Sequence, residues 1–214
     1  MNAYINKKEF IEKYNKKIPQ IISSNFIADI DTPISSLLKL SKKQKYSFLL
    51  ESVEGGKKRG RYSLLGCDPS LIWKVNNGKV NIETDSEHLK KNIDINLNPI
   101  DSLKEIIKLS KVKKDINEPP YPILVGYFGY PMIKYMEKIN LSNSDSINIP
   151  EALFIRPKIV AVFDNIKDTI DIMTVVYPDE NITAINAIKM AEERINSNLE
   201  KLHSQIEEKT NIKD

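Results

Sequence analysis

The pair Asn77-Gly78 constrains the fold more than any other feature of this sequence. It lies between two stretches of alternating apolar and polar residues, 71–75 and 79–83. An Asn-Gly pair in that position predicts a β-hairpin, because a tight two-residue turn needs backbone conformations that these residues adopt readily. The early part of the chain is therefore expected to form antiparallel strands.

The remaining elements follow from apolar periodicity and from helix-capping residues. Strands are predicted at 46–53, 62–65, 123–127, 158–163 and 169–176, the last two forming a second hairpin around 164–168. Helices are predicted at 7–17, after Thr32-Pro33, after Asn98-Pro99, at 129–138 and at 182–208. This order is not a regular βαβ alternation. The fold class is therefore α+β, with mostly antiparallel sheet, flanking helices and a long C-terminal helix.

The last predicted helix carries an apolar stripe at steps of three and four residues. Its members are Ile188, Ile195, Leu199, Leu202 and Ile206. Such a stripe must be covered, either by the rest of this domain or by a partner. The exposure of its residues in the folded chain decides between the two.

Composition and charge exclude several classes of protein. The 214 residues carry 32 Lys and Arg against 29 Asp and Glu, a net charge of +3, which does not require a polyanionic partner. A single cysteine excludes a disulfide framework and a cysteine-based zinc cluster. The longest uncharged run, 119–133, is too short to span a membrane, and the N-terminus has no signal-peptide core. We therefore expect a cytoplasmic protein that binds neither nucleic acid nor membrane.

The densest segment, residues 49–69, reads LLESVEGGKKRGRYSLLGCDP. Four of the seven glycines lie between positions 55 and 66, which predicts a strand, a glycine-rich turn and a second strand. The four cations at 57–61 lack interleaved aromatic residues, which argues against nucleic acid, and the phosphate-loop pattern is absent. Two interpretations remain, a surface hairpin with a solvated basic tip or a turn that binds a small molecule.

The residue types do not form a recognisable catalytic group. Cys67 has no nearby histidine and is expected in the core, whereas His88 and His203 are expected to be solvated. The carboxylates are numerous, but no spacing singles out an acid–base pair. From its residues alone, the chain is an α+β domain whose glycine-rich turn is a candidate site for something small.

Several segments resemble the N-terminal region of anthranilate synthase component I. Residues 46–69, YSFLLESVEGGKKRGRYSLLGCDP, are similar almost position for position to the family pattern Y-S-F-L-L-E-S-V-E-G-G-x-x-x-G-R-Y-S-F-x-G-x-D-P. Three more segments resemble further blocks of the family: DTPISSLLKL (31–40), PPYPILVGYFGYPMIKYMEKI (119–139) and RPKIVAVFDNIKDTIDIM (156–173).

The resemblance implies a function and a ligand. Enzymes of this family convert chorismate to anthranilate and pyruvate, with Mg²⁺ and with ammonia from a glutamine amidotransferase subunit, and L-tryptophan inhibits them. By resemblance, Leu50 and Ser52 would contact bound tryptophan, Glu51 would hold the strand edge, and Tyr62 would approach from the next strand. The resemblance assigns no catalytic residue and no metal ligand to this chain, so its own cofactor is expected to be none.

The resemblance also implies a division of the chain. Residues 1–180 would form the tryptophan-regulatory domain, and 181–214 a long helix leading to a catalytic C-terminal domain that is missing or forms a separate chain. The chain alone is therefore expected to be inactive. Two alternatives stay open: the N-terminal part of aminodeoxychorismate synthase component I of the folate pathway, and a free-standing module that binds tryptophan or docks on an amidotransferase subunit.

Overall fold

A computed structural model of the chain describes residues 5–28, 30–42, 44–54, 58–94, 96–113, 118–139 and 148–205. The side chains of residues 52–54, 58–59 and 88 are outside that description. Within the described ranges one antiparallel sheet is flanked by helices, which confirms the α+β prediction. No helix of these ranges is both long enough and apolar enough to cross a membrane.

The sheet contains seven described strands, and every pairing between them is antiparallel. The strands are β1 (Gln20–Ile27), β2 (Ser47–Glu54), β3 (Lys58–Asn76), β4 (Lys79–Thr84), β5 (Val125–Phe128), β6 (Ala152–Asp164) and β7 (Thr169–Val176). Their main order is β1-β7-β6-β3-β2, with β4 paired to β3 and β5 paired to β6. The helices are α1 (Lys7–Asn15), α2 (Pro33–Leu40), α3 (Glu87–Asn92), α4 (Pro99–Leu109) and α5 (Ala184–His203), with a 3₁₀ helix at Tyr130–Tyr135.

Both predicted hairpins are confirmed. Asn77 and Gly78 join β3 to β4 with φ of 48° and 77°, the positive values that this turn requires. β6 and β7 pair around the turn between Asp164 and Thr169. The caps predicted from local sequence are present as well, because Asn6 accepts from the N–H of Glu9 and Thr32 caps α2.

A bulge in β3 divides the protein core in two. The predicted strands 62–65 and 71–75 are parts of this one long strand, whose pairing with β6 shifts between Pro69 and Leu71. Because side chains alternate between faces, one extra residue moves the odd-numbered positions to the other face. Leu65 therefore packs in a first core with α1, α2 and α5, whereas Trp73 packs in a second core with α3 and α4.

The apolar stripe of α5 is covered by this same domain. Ile195, Leu199 and Leu202 are all buried in the first core, against residues of the sheet and of α1 and α2. Thr183 caps the helix by accepting from the N–H of Asn186. The helix is shorter than the predicted 182–208, and residues 206–208 are outside the described ranges.

Three predictions of local structure were wrong or incomplete. The segment 123–127 is not a buried strand, because β5 lies off the main strand order and leaves Tyr127 and Phe128 substantially exposed. Residues 20–27, where no strand was predicted, form a regular strand against β7. Helix α3 was not predicted, since its six residues are too few to show a periodic pattern.

Candidate functional site

Strand β2 lies at the end of the main strand order and pairs with β3. Residues directly opposite each other in an antiparallel pair share one face of the sheet. Leu50 lies opposite Leu64, so their side chains share a face, whereas Glu51 lies opposite Ser63 on the other face. Tyr62, two residues before Leu64, joins the face of Leu50.

The face shared by these residues is apolar and partly open to water. A small buried cluster lies on it, formed by Val160, Val162 and Met173. Tyr62 and Leu64 pack on that cluster, while Leu50 at the edge is 46% exposed. We call the surface of Leu50, Tyr62 and Leu64 the Leu50 face. An exposed apolar surface of this kind is a candidate contact site for an apolar molecule.

Asp164, at the end of β6, orders the turn beside the Leu50 face. Nε and Nη2 of Arg61 donate to its Oδ2 over 3.2 and 2.9 Å, and the N–H groups of Ile166 and Lys167 donate to Oδ1. The bonds from Arg61 above all, and then those from the backbone, hold the pKa of Asp164 below its ordinary value. The Arg61 guanidinium also lies 4.7 Å from the centre of the Tyr62 ring, and so restrains that ring.

The start of β3 is fastened to the same turn. Nδ2 of Asn165 donates to the carbonyl of Gly60 over 2.8 Å, and the N–H of Asn165 donates to the carbonyl of Arg61 over 2.8 Å. Gly60 is buried at this junction. These bonds fix the position of Tyr62 relative to β6, which no local sequence pattern indicated.

Asp171 is a charged residue that the sequence analysis missed. It lies on β7 opposite Val162 and Asn25, on the same side of the sheet as the Leu50 face. Burial raises the pKa of its carboxyl, and a hydrogen bond with Asn25 opposes that rise. One carboxylate within the apolar run TIDIMTVV was the available signal. It lies three strand spacings from Leu50, roughly 14 Å.

The structure thus brings together two of the four residues that the resemblance assigned to tryptophan. Leu50 and Tyr62 share a face, whereas Glu51 is exposed on the opposite one. Ser52 lies at the register shift between Glu51 and Val53, and its side chain is outside the described part of the structure. The contact of each of these residues with tryptophan stays a prediction.

Cys67, His88 and His203 are the chain's cysteine and histidines, side chains that take part in catalysis in many proteins. Cys67 is buried in the first core, and burial raises the pKa of its thiol to about 11, so it stays protonated at neutral pH. His203 is exposed at the end of α5, and the side chain of His88 is not described. In the described ranges, no group of three or more His, Cys, Asp and Glu could hold a metal ion.

No protein-family model matches the chain. Curated proteins do match it. Anthranilate synthase component 1 of Cereibacter sphaeroides is 33% identical over 178 residues, which are 82% of this chain and 36% of that protein. Anthranilate synthase component 1 of Pseudomonas putida is 33% identical over 213 residues, 94% of this chain and 40% of that protein.

The chain belongs to the anthranilate synthase component 1 family. It spans 36% to 40% of the length of these two anthranilate synthase relatives. A solved structure, anthranilate synthase component I from Streptococcus pneumoniae TIGR4, aligns with 84% of this chain and 37% of its own. Its sequence identity is 24% and its TM-score is 0.48, too low for a comparison of individual residues.

Proposed function

We propose that this chain is the tryptophan-binding, regulatory part of an anthranilate synthase component 1, and that L-tryptophan binds at the Leu50 face. The observation that carries the proposal is the similarity to proteins of that name over 82% to 94% of the chain. The arrangement of Leu50 and Tyr62 on one partly open apolar face supports the location.

The Leu50 face has the chemistry that an amino acid with an indole ring needs. Leu50 supplies an exposed aliphatic surface and Tyr62 an aromatic edge, and both can pack on the flat ring. The described pairing of β2 is with β3 alone, so the outer edge of the strand offers main-chain groups for the ammonium and the carboxylate. The hydroxyl of Ser52 would add a further hydrogen bond at that edge.

The role of this part would be feedback control of the whole enzyme. The complete protein would convert chorismate to anthranilate and pyruvate, using Mg²⁺ and ammonia from a glutamine amidotransferase subunit. Bound tryptophan would favour an orientation of this part that lowers chorismate affinity elsewhere in the enzyme. Such coupling is reciprocal, so chorismate would weaken tryptophan binding by the same factor. The similarity to anthranilate synthase component 1 proteins favours this hypothesis over that of an aminodeoxychorismate synthase component.

Calorimetric titration of the 214-residue chain with L-tryptophan tests the proposal. Leu50→Ala removes aliphatic surface from the face, which should weaken binding by about 1 kcal/mol, roughly fivefold. Leu38→Ala is the matched control, because Leu38 on α2 is 55% exposed and lies outside the Leu50 face. Equal affinity of wild type and Leu50→Ala for L-tryptophan would show that the amino acid does not bind at the Leu50 face.

Ser52 requires a separate test in the enzyme reconstituted with its remaining parts. Ser52→Phe places a large ring at the strand edge, so tryptophan should no longer inhibit anthranilate formation by this variant. The turnover without tryptophan serves as the control for folding and assembly. Unchanged inhibition of Ser52→Phe would show that Ser52 does not contact the amino acid.

A further inference from the structure

A cavity remote from the Leu50 face opens where β6 and β7 separate. The two strands pair from Asp164↔Thr169 to Val160↔Met173, and beyond this point β6 continues beside β3. The cavity between Arg156 of β6 and Tyr177 has a volume of about 200 Å³. Helix α5 forms another wall with Ala187, Met190, Ala191 and Arg194. We call this cavity the Arg156 cleft.

Arg156 is a buried cation that forms no ion pair with a carboxylate of the described residues. It is 3% exposed, and its Nε donates to Ser70 Oγ over 2.8 Å and its Nη1 to Ser110 Oγ over 3.4 Å. Its guanidinium lies 4.2 Å from the centre of the Tyr177 ring. The Asp85 carboxylate, which pairs with Lys158, stabilises the charge of Arg156 only from beyond ion-pair distance. A guanidinium has five N–H donors, so several remain for a ligand.

A buried charge of this kind is costly unless an opposite charge neutralises it. Hydroxyl groups and an aromatic ring compensate only part of the lost hydration. The folded chain therefore gains stability from any anion that enters the cleft and pairs with Arg156. A purely structural role for Arg156 predicts no such gain.

A second guanidinium lines the same cleft. Nη1 of Arg194 donates to Thr174 Oγ1 over 2.8 Å, and no described carboxylate pairs with this arginine either. Lys158 also lines the cleft, but Asp85 neutralises it at 2.5 Å. Asp179 is the second carboxylate at the wall. The charged residues that line the cleft are therefore three cations (Arg156, Arg194 and Lys158) and two carboxylates (Asp85 and Asp179), which give one net positive charge. That balance suits a singly charged anion better than a dianion.

We propose that the Arg156 cleft binds a small organic monocarboxylate, whose oxygens accept hydrogen bonds from Arg156 and Arg194. The planar guanidinium fork matches a carboxylate, and the aliphatic walls cover the uncharged part of the molecule. Those walls come from Val175, Ile182, Ala187, Met190 and Ala191. Asp164 beside the Leu50 face is eight residues along β6 from Arg156, roughly 26 Å, so the two sites are separate.

The experiment uses the Nε–H signals of arginine in nitrogen–proton NMR spectra of the full chain. The chain has four arginines, so these signals are few enough to assign by Arg→Lys variants. Sodium butyrate is the probe, with sodium chloride and sodium phosphate at equal ionic strength as controls. Butyrate should shift the signals of Arg156 and Arg194 saturably, with a dissociation constant on the order of 1 mM, and leave the signal of Arg61 in place.

Variants separate the cleft from general charge effects. Arg194→Gln should weaken butyrate binding about tenfold, and because Arg194 is only partly buried this variant is expected to fold. Arg61→Gln, which removes an exposed guanidinium elsewhere, should bind butyrate like wild type. The proposal is overturned if no signal saturates, if chloride gives the same shifts, or if Arg194→Gln binds equally well. Tighter binding of phosphate than of butyrate would overturn the carboxylate assignment.

Discussion

Two aspartates of the β6–β7 hairpin occupy opposite electrostatic environments. Arg61 and two backbone N–H groups stabilise the charged form of Asp164, which holds its pKa below the ordinary value. Asp171 lies seven residues further along, among apolar strands, and burial raises its pKa. Both carboxyl groups lie in the same short hairpin. The difference in their pKa values therefore arises from the hydrogen-bond donors that β3 and the turn supply to Asp164.

The environment of Asp171 predicts a pH-dependent stability. A raised pKa in the folded state means that stability is lost as the pH rises from the unfolded value, about 3.9, through the folded pKa. The side chain of the variant Asp171→Asn cannot ionise. The free energy of unfolding of this variant, relative to that of wild type, should therefore increase across that pH window and then level off. Urea unfolding between about pH 3.5 and pH 7 measures this difference.

Asp168→Asn is the control, because Asp168 is exposed in the turn of the same hairpin. If the two variants respond to pH alike, burial of Asp171 does not govern its titration.

At the scale of elements, α5 shows how an amphipathic helix is positioned by one face. Its buried face packs against β7, β1 and the first two helices, while its other face carries exposed residues, including Ile185 and Met190. Hydrophobic burial rather than helix propensity holds such a helix in place. The burial of its stripe within this domain also makes the isolated chain suitable for the binding experiments proposed above.

Two substitutions on α5 compare the faces. Ile195→Ala removes a fully buried side chain from the first core and should lower the free energy of unfolding by about 2–5 kcal/mol. Ile185→Ala removes the same atoms from a residue that is 69% exposed, so its effect should stay within about 0.5 kcal/mol. Chemical denaturation measures both. Equal losses would mean that α5 does not pack on the sheet in this way.

At the scale of the whole molecule, β3 and β6 connect the two cores. Both strands pair along almost their whole length, and each contributes buried side chains to either core. The two cores lie on opposite faces of the sheet. If β3 and β6 separate, the buried side chains of both cores become exposed to water. The two cores should therefore unfold as one cooperative unit.

The chain contains a natural probe for each core. Its only cysteine, Cys67, is buried in the first core, and its only tryptophan, Trp73, is buried in the second, where it donates to Ser102 Oγ over 3.1 Å. Pulsed labelling of the thiol and tryptophan fluorescence should give the same urea midpoint. Labelling of Cys67 at clearly lower urea than the fluorescence change would show that the first core opens by itself.

Local sequence determined much of the secondary structure. The turn at Asn77-Gly78, the caps at Asn6 and Thr32, and the apolar stripe of α5 each depend on residues close together in the chain, so short patterns predict them. The resemblance carried by residues 46–69 pointed to the family, which the curated relatives confirm.

Tertiary structure decided what joins distant segments. The bulge near Pro69, the exposure of β5 and the pairing of Arg61 with Asp164 depend on where β6 lies, and no spacing along the chain encodes that position. The Arg156 cleft likewise forms from β3, β6, β7 and α5 together. Turns and caps could be predicted from sequence because their hydrogen bonds are local. The cleft and the Leu50 face could not, because burial and charge neutralisation there depend on neighbours contributed by separate strands and helices.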